Sequence, residues 1–190
     1  MATNDEIRIS LENSGVKREI TDLLLSLFPS GSFKEYLSLF KEAIEKPESL
    51  RKKITQFEAK SGIGAVSHIA IVERELLGLS NFPMFTRDYI KRCGDLVELF
   101  VKTRLLDKLP SFKPNKSLGN IIHTMQSQYS TRIPKELLDA LKSFDLSIYR
   151  PAKHKFVDTE MTLFTVPDAV ATTLIALKLC QQIENISKSL

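Results

Sequence analysis

The stretch Thr165-Val166-Pro167-Asp168-Ala169-Val170-Ala171-Thr172-Thr173-Leu174-Ile175-Ala176-Leu177-Lys178-Leu179-Cys180 decides the fold class. It opens with a threonine suited to cap a helix and an aspartate in the first turn, where the helix dipole favours an anion. From Ala169 to Cys180 it is apolar almost all round, interrupted mainly by two threonines and Lys178. A helix without a polar face belongs near the middle of its domain, covered by other helices.

The rest of the chain supplies those helices. Ile90, Cys93, Val97, Val101 and Leu105 form one stripe of a helix expected from about Thr86 to Leu106, and Lys91, Asp95, Glu98 and Lys102 form the opposite one. Val16 to Phe28 carries Ile20, Leu23, Leu24 and Leu27 at helical spacing and ends at Pro29-Ser30-Gly31. Ser32 and Glu35 form a capping box for a helix bearing Phe33, Leu37, Phe40 and Ile44. Shorter helices follow at 49–59 and from about Gly64 to Leu77. Ser117 starts a helix with Leu118, Ile121, Ile122, Met125 and Tyr129 inward, and Pro134 starts one with Leu137, Leu138 and Leu141. Residues 145–164 read as irregular, with Arg150 as a cap-like residue before Pro151.

Composition sets compatible bounds. At 190 residues, 43% apolar and 26% charged, the chain suits one globular core and is too short for two ordinary domains. Residues 1–190 therefore read as a single all-α helical bundle with its C-terminal helix buried. No apolar run reaches the roughly 18 to 20 residues of a membrane span, and the polar start Met1-Ala2-Thr3-Asn4-Asp5-Glu6 is unlike a signal peptide. The expectation is a cytoplasmic protein without membrane contact. Cys93 and Cys180 lie on apolar helical positions, and neither belongs to a CxxC pair or has a histidine close in sequence. They read as buried free thiols, and no metal site or cofactor is expected.

The net charge of +4 is unevenly spread: residues 108–157 carry nine basic and three acidic side chains. Such a stretch attracts polyanions or is simply a lysine-rich solvated surface. Within it, Tyr149-Arg150-Pro151-Ala152-Lys153-His154-Lys155-Phe156 concentrates the titratable groups. Helical spacing puts Arg150 and His154 on one face. An arginine fork holds phosphate and a histidine moves a proton, a minimal set for cleaving RNA through its own 2′-hydroxyl. The competing reading is a basic turn whose histidine satisfies a backbone carbonyl. His68, bordering an apolar stripe, reads as structural, and His123, beside Gln126 and Ser127, as a solvent-facing residue with no special role.

Leu141-Lys142-Ser143-Phe144-Asp145-Leu146, the Arg150…His154 pair, and Phe164 to Ala169 leading into the apolar helix together resemble the HEPN family of small helical bundles. The resemblance covers residues 117–190; residues 1–115 fit only in being helical. It implies a metal-independent ribonuclease that works as a homodimer, with Arg150 and His154 catalytic and Lys153 and Lys155 supporting substrate binding. It equally admits a non-catalytic module with a cognate protein partner. The chain departs from the family's motif in three ways. Only three residues separate the arginine from the histidine, Pro151 replaces the polar residue after the arginine, and Phe156 replaces the tyrosine often found two places after the histidine.

Overall fold

The computed structural model describes residues 4–28, 86–105, 108–109, 116–153 and 164–190. The regular structure among them is entirely helical: α1 (Asn4–Asn13), α2 (Arg18–Leu27), α3 (Thr86–Arg104), α4 (Leu118–Gln128), α5 (Lys135–Phe144), a π-helical turn (Asp145–Tyr149), α6 (Arg150–Lys153) and α7 (Val166–Ser189). The all-α bundle expected from the periodicities is what forms. The helices expected between residues 33 and 77, the Ser32 capping box and His68 lie outside the described residues.

The central element is α7. Thr165 caps it reciprocally: its hydroxyl accepts from the Asp168 N–H, and the Asp168 carboxylate accepts from the Thr165 N–H at 2.8 Å. With both ends of the first turn satisfied, the helix enters the core without orphaned donors there. Ala169, Val170, Ala171, Leu174, Ile175, Leu177, Leu179, Cys180 and Ile183 are all buried. Removing each large aliphatic side chain from water is worth about 1.5–3 kcal/mol. α7 packs chiefly along α3 and next along α2. The α3 stripe Ile90, Cys93, Val97 and Val101 is sealed, and a hydrogen bond of 2.5 Å joins the Tyr89 and Thr173 hydroxyls across the contact. Among the described residues no helix is long and apolar enough to cross a membrane.

The polar opening also folds into a helix. Ile7 and Leu11, one turn apart, put one face of α1 into the core. Gly15, with φ of 94°, makes the turn into α2 in a conformation that side chains other than glycine rarely adopt. That turn is fastened to the start of α7. The Lys17 N–H donates to Asp168 Oδ1 at 2.8 Å, and the Thr165 hydroxyl donates to the Gly15 carbonyl at 3.0 Å.

The segment expected to be irregular is helical as far as it is described. α5 runs through the π turn directly into α6, and Arg150 has φ −62° and ψ −46°, so it is a helical residue and not a cap. The physical reason is the proline one position later. Pro151 has no N–H and crowds the carbonyl four residues back, which an unbroken α-helix accommodates poorly. Here the helix widens just before it, and the Arg150 N–H bonds back five residues to the Asp145 carbonyl.

Candidate functional site

The π turn sends two basic side chains to different neighbours. Arg150 Nη2 donates to Asp145 Oδ2 at 2.7 Å; the aspartate side chain is only 8% exposed and the arginine 48%. The buried carboxylate therefore grips one corner of the guanidinium from behind, and the remaining N–H groups are available to solvent or a ligand. The pair rests on Gly119 in the first turn of α4. A β-carbon there would lie 2.8 Å from Asp145 Oδ2 and 2.9 Å from Arg150 Nη2. Glycine at 119 thus lets the pair approach the start of α4, the helix end that favours the Asp145 charge.

Lys153 turns toward α3 instead. Its ammonium donates to Tyr149 Oη at 3.1 Å, sits 4.8 Å from the centre of that ring and lies 3.5 Å from Glu98 Oε2. Tyr149 is buried against Gly94, and its hydroxyl lies 2.7 Å from Asp95 Oδ1 and 2.8 Å from Glu98 Oε2, its single hydrogen shared between two carboxylates. Lys91 pairs with Asp95 at 2.8 Å and Lys102 with Glu98 at 2.5 Å, the two i,i+4 contacts expected along α3. Burial, together with the two facing carboxylates, pushes the Tyr149 phenol far above its ordinary range. Burial alone would raise Glu98, but hydrogen bonds from Lys102 and Tyr149 and the charges of Lys153 and Lys102 outweigh it and hold the carboxyl below its usual 4.5.

Of the four residues singled out from the sequence, Arg150 and Lys153 are thus placed on different partners. His154 and Lys155 lie outside the described residues. Residues that sequence reasoning passed over surround Arg150. Gly119, Ile122, His123 and Gln126 share one face of α4. Lys142, Asp145 and Leu146 share the facing side of α5 and the π turn. Between them lies an open pocket of about 170 Å³ with Arg150 at its edge. His123 is exposed, as expected, but it faces this pocket. The spacings i, i+3, i+4 and i+7 in α4 were visible in the sequence, whereas the second helix opposite them was not.

A larger groove of about 550 Å³ runs between α2 and α5, rimmed by Glu19, Asp22, Glu136 and Asp139, with no basic side chain among the described residues of its lining. Its charge is wrong for a polyanion, so the Arg150 side of α5 is the electrostatically suited face.

The two cysteines are free and buried, as expected. Burial pushes the Cys93 thiol up to about 12, hydrogen bonds from Thr173 and Tyr89 offsetting only part of it, and raises Cys180 well above its ordinary value. Neither is suited to nucleophilic work, which requires the thiolate. Compared with protein-family models, curated proteins and solved structures, the chain matches none.

Proposed function

We infer that the protein is an RNA-binding helical bundle of the HEPN type, with Arg150 as the phosphate-binding residue and His154 as its proton-transfer partner. The observation that carries this reading is the Arg150–Asp145 arrangement. A half-exposed guanidinium, oriented by a buried carboxylate and set at the edge of an open pocket, is a means of presenting donors to a phosphate. The excess of basic residues in 108–157 supplies the sequence-independent attraction.

In the cleavage that this pair can support, His154 takes the proton of a ribose 2′-hydroxyl and the 2′-oxygen attacks the adjacent phosphorus. The bond to the 5′-oxygen breaks, and that oxygen leaves with a proton returned by the imidazolium or by water. Arg150 offsets the charge gathering on the phosphoryl oxygens. The products are a 2′,3′-cyclic phosphate and a 5′-hydroxyl, and the chemistry persists in EDTA. The test is incubation with single-stranded RNAs in EDTA followed by analysis of the ends. His154→Ala should slow cleavage by about 10²- to 10⁴-fold. Full activity in that variant rules out His154 as the proton carrier.

One observation favours a second reading, a protein-interaction module with no chemistry. Lys153 is engaged with Tyr149 and Glu98 inside the bundle, so a residue expected to support substrate binding is already occupied. The absence of both cleavage and RNA binding across varied RNAs would favour this reading.

A further inference from the structure

The pocket beside Arg150 has a character that phosphate binding alone does not explain. Each of its two walls includes one apolar side chain, the nearly sealed Ile122 on α4 and Leu146 on the π turn. Leu146 is one of two large hydrophobic side chains left exposed among the described residues, at 46%. An exposed leucine by itself is ordinary. This one lines a cavity together with four residues that carry donor or acceptor groups, His123, Gln126, Lys142 and the Arg150-paired Asp145. At about 170 Å³, the cavity falls below the roughly 300–1,000 Å³ of clefts for drug-sized ligands. At about 30 Å³ per water it has room for a few waters or one flat ring system.

We propose that the pocket between α4 and the α5–π segment is a subsite for a single unstacked nucleobase of single-stranded RNA. This rests on the RNA reading of the Arg150 site and adds the part of the substrate that is recognised. Sequence-specific RNA binding works largely on splayed-out bases, which lie against apolar or planar side chains and are read by hydrogen bonds along their edges. Here Leu146, with what Ile122 leaves exposed, offers the ring apolar contact, and Gln126 and His123 are the polar residues of the lining that would read its edge. Arg150, at the rim, takes the phosphate attached to the same nucleotide. A carboxamide presents a donor and an acceptor side by side, so Gln126 can discriminate among bases by the pattern on their edges.

The experiment is fluorescence anisotropy on the full chain with 2′-O-methyl homopolymers of A, C and U. These lack the free 2′-hydroxyl needed for cleavage and are about twelve nucleotides long, within the range single-strand binders cover. The wild type should bind the best homopolymer about tenfold more tightly than the worst, the low end of what one hydrogen-bonded base contact supplies. Leu146→Ala and Gln126→Ala, both outside the sealed core, should narrow that range to within about threefold and leave the salt dependence unchanged, because phosphate contacts set the slope. Equal binding of all three homopolymers by the wild type overturns the base subsite, as does a preference that survives both substitutions. If RNA binds without base preference and Arg150→Ala abolishes it, only the subsite falls. If no homopolymer binds at any salt concentration, the RNA reading falls with it.

Discussion

The ring of Tyr149 lies directly against the backbone of Gly94: a β-carbon at position 94 would stand 1.9 Å from Tyr149 Cδ2. A glycine in the middle of α3 costs about 1 kcal/mol relative to alanine, and the close approach of the phenol ring is what requires it. The same approach carries the Tyr149 hydroxyl to Asp95, beside that glycine, and to Glu98 one turn further along α3. The π turn and α6 are thereby fixed to the bundle.

Gly94→Ala should therefore destabilise the protein although it raises helix propensity. Overpacking costs about 1–3 kcal/mol, and a contact this short belongs at the upper end, for a net loss of about 2 kcal/mol after the propensity gain. Urea unfolding measures it. In a Tyr149→Ala background the same substitution should stabilise, by about 1 kcal/mol. Equal effects in both backgrounds would show that the ring is not the cause.

Stability should depend on pH at both ends of the range. Glu98 is held below its usual 4.5, so its contribution is complete above that value and is lost as pH falls through the lower value in the folded state. Tyr149 is raised above its usual 10.0, so its contribution is complete below pH 10.0 and declines as pH rises beyond it. Unfolding free energies measured across pH should fall off on both limbs. Glu98→Gln should flatten the acid limb and Tyr149→Phe the alkaline one.

Asp168→Ala should be among the costlier polar substitutions. It leaves the N–H groups of Thr165 and Lys17 without their acceptor, for a loss of about 2–4 kcal/mol from two orphaned donors and a broken cap. Thermal unfolding with Asp168→Asn as the milder companion separates the lost charge from the lost acceptor. A variant as stable as the parent would mean that water replaces both bonds.

Asp145→Asn distinguishes orientation from bulk charge at the candidate site. The substitution makes the chain more positive, which by electrostatic attraction alone would tighten RNA binding. If Asp145 aims the Arg150 fork, affinity should instead fall about tenfold, as for loss of a charge-assisted contact. Binding titrations at one salt concentration decide between the two directions.

Cys93 and Cys180 should react with a thiol reagent only as fast as the protein opens, since both are buried and their thiols are raised, Cys93 to about 12. Labelling rates that rise with denaturant in step with unfolding would agree with this. Rapid native-state labelling of either would contradict it.

What could be read from the sequence followed from whether a signal was local. The α3 stripe, the Thr165 cap and the all-round apolar α7 are repeats within one helix, and each forms as the spacing predicts. α1 does not stand out in the sequence because its three apolar residues, Ile7, Ile9 and Leu11, alternate rather than follow helical spacing; only Ile7 and Leu11 enter the core, and Ile9 is left 56% exposed. The helix through Pro151 was missed because proline ordinarily ends an α-helix, and a π turn is a compensation that no short motif announces. At the candidate site, Arg150 was legible as a charge and Asp145 was not legible as its partner. Nor was His123, since its relation to Arg150 exists only once α4 and α5 lie side by side.

The position of α7 in the chain sets a condition on biosynthesis. Every helix that packs on it emerges from the ribosome earlier, and the turn at Gly15 and Lys17 waits for Thr165 and Asp168, about 150 residues downstream. Until the segment through Ile183 has left the exit tunnel, the apolar faces of α2 and α3 lack the surface they will cover. Contacts of such long sequence separation slow folding and leave nascent apolar surface open to chaperones and proteases. For this bundle, the core cannot close before α7 has been made.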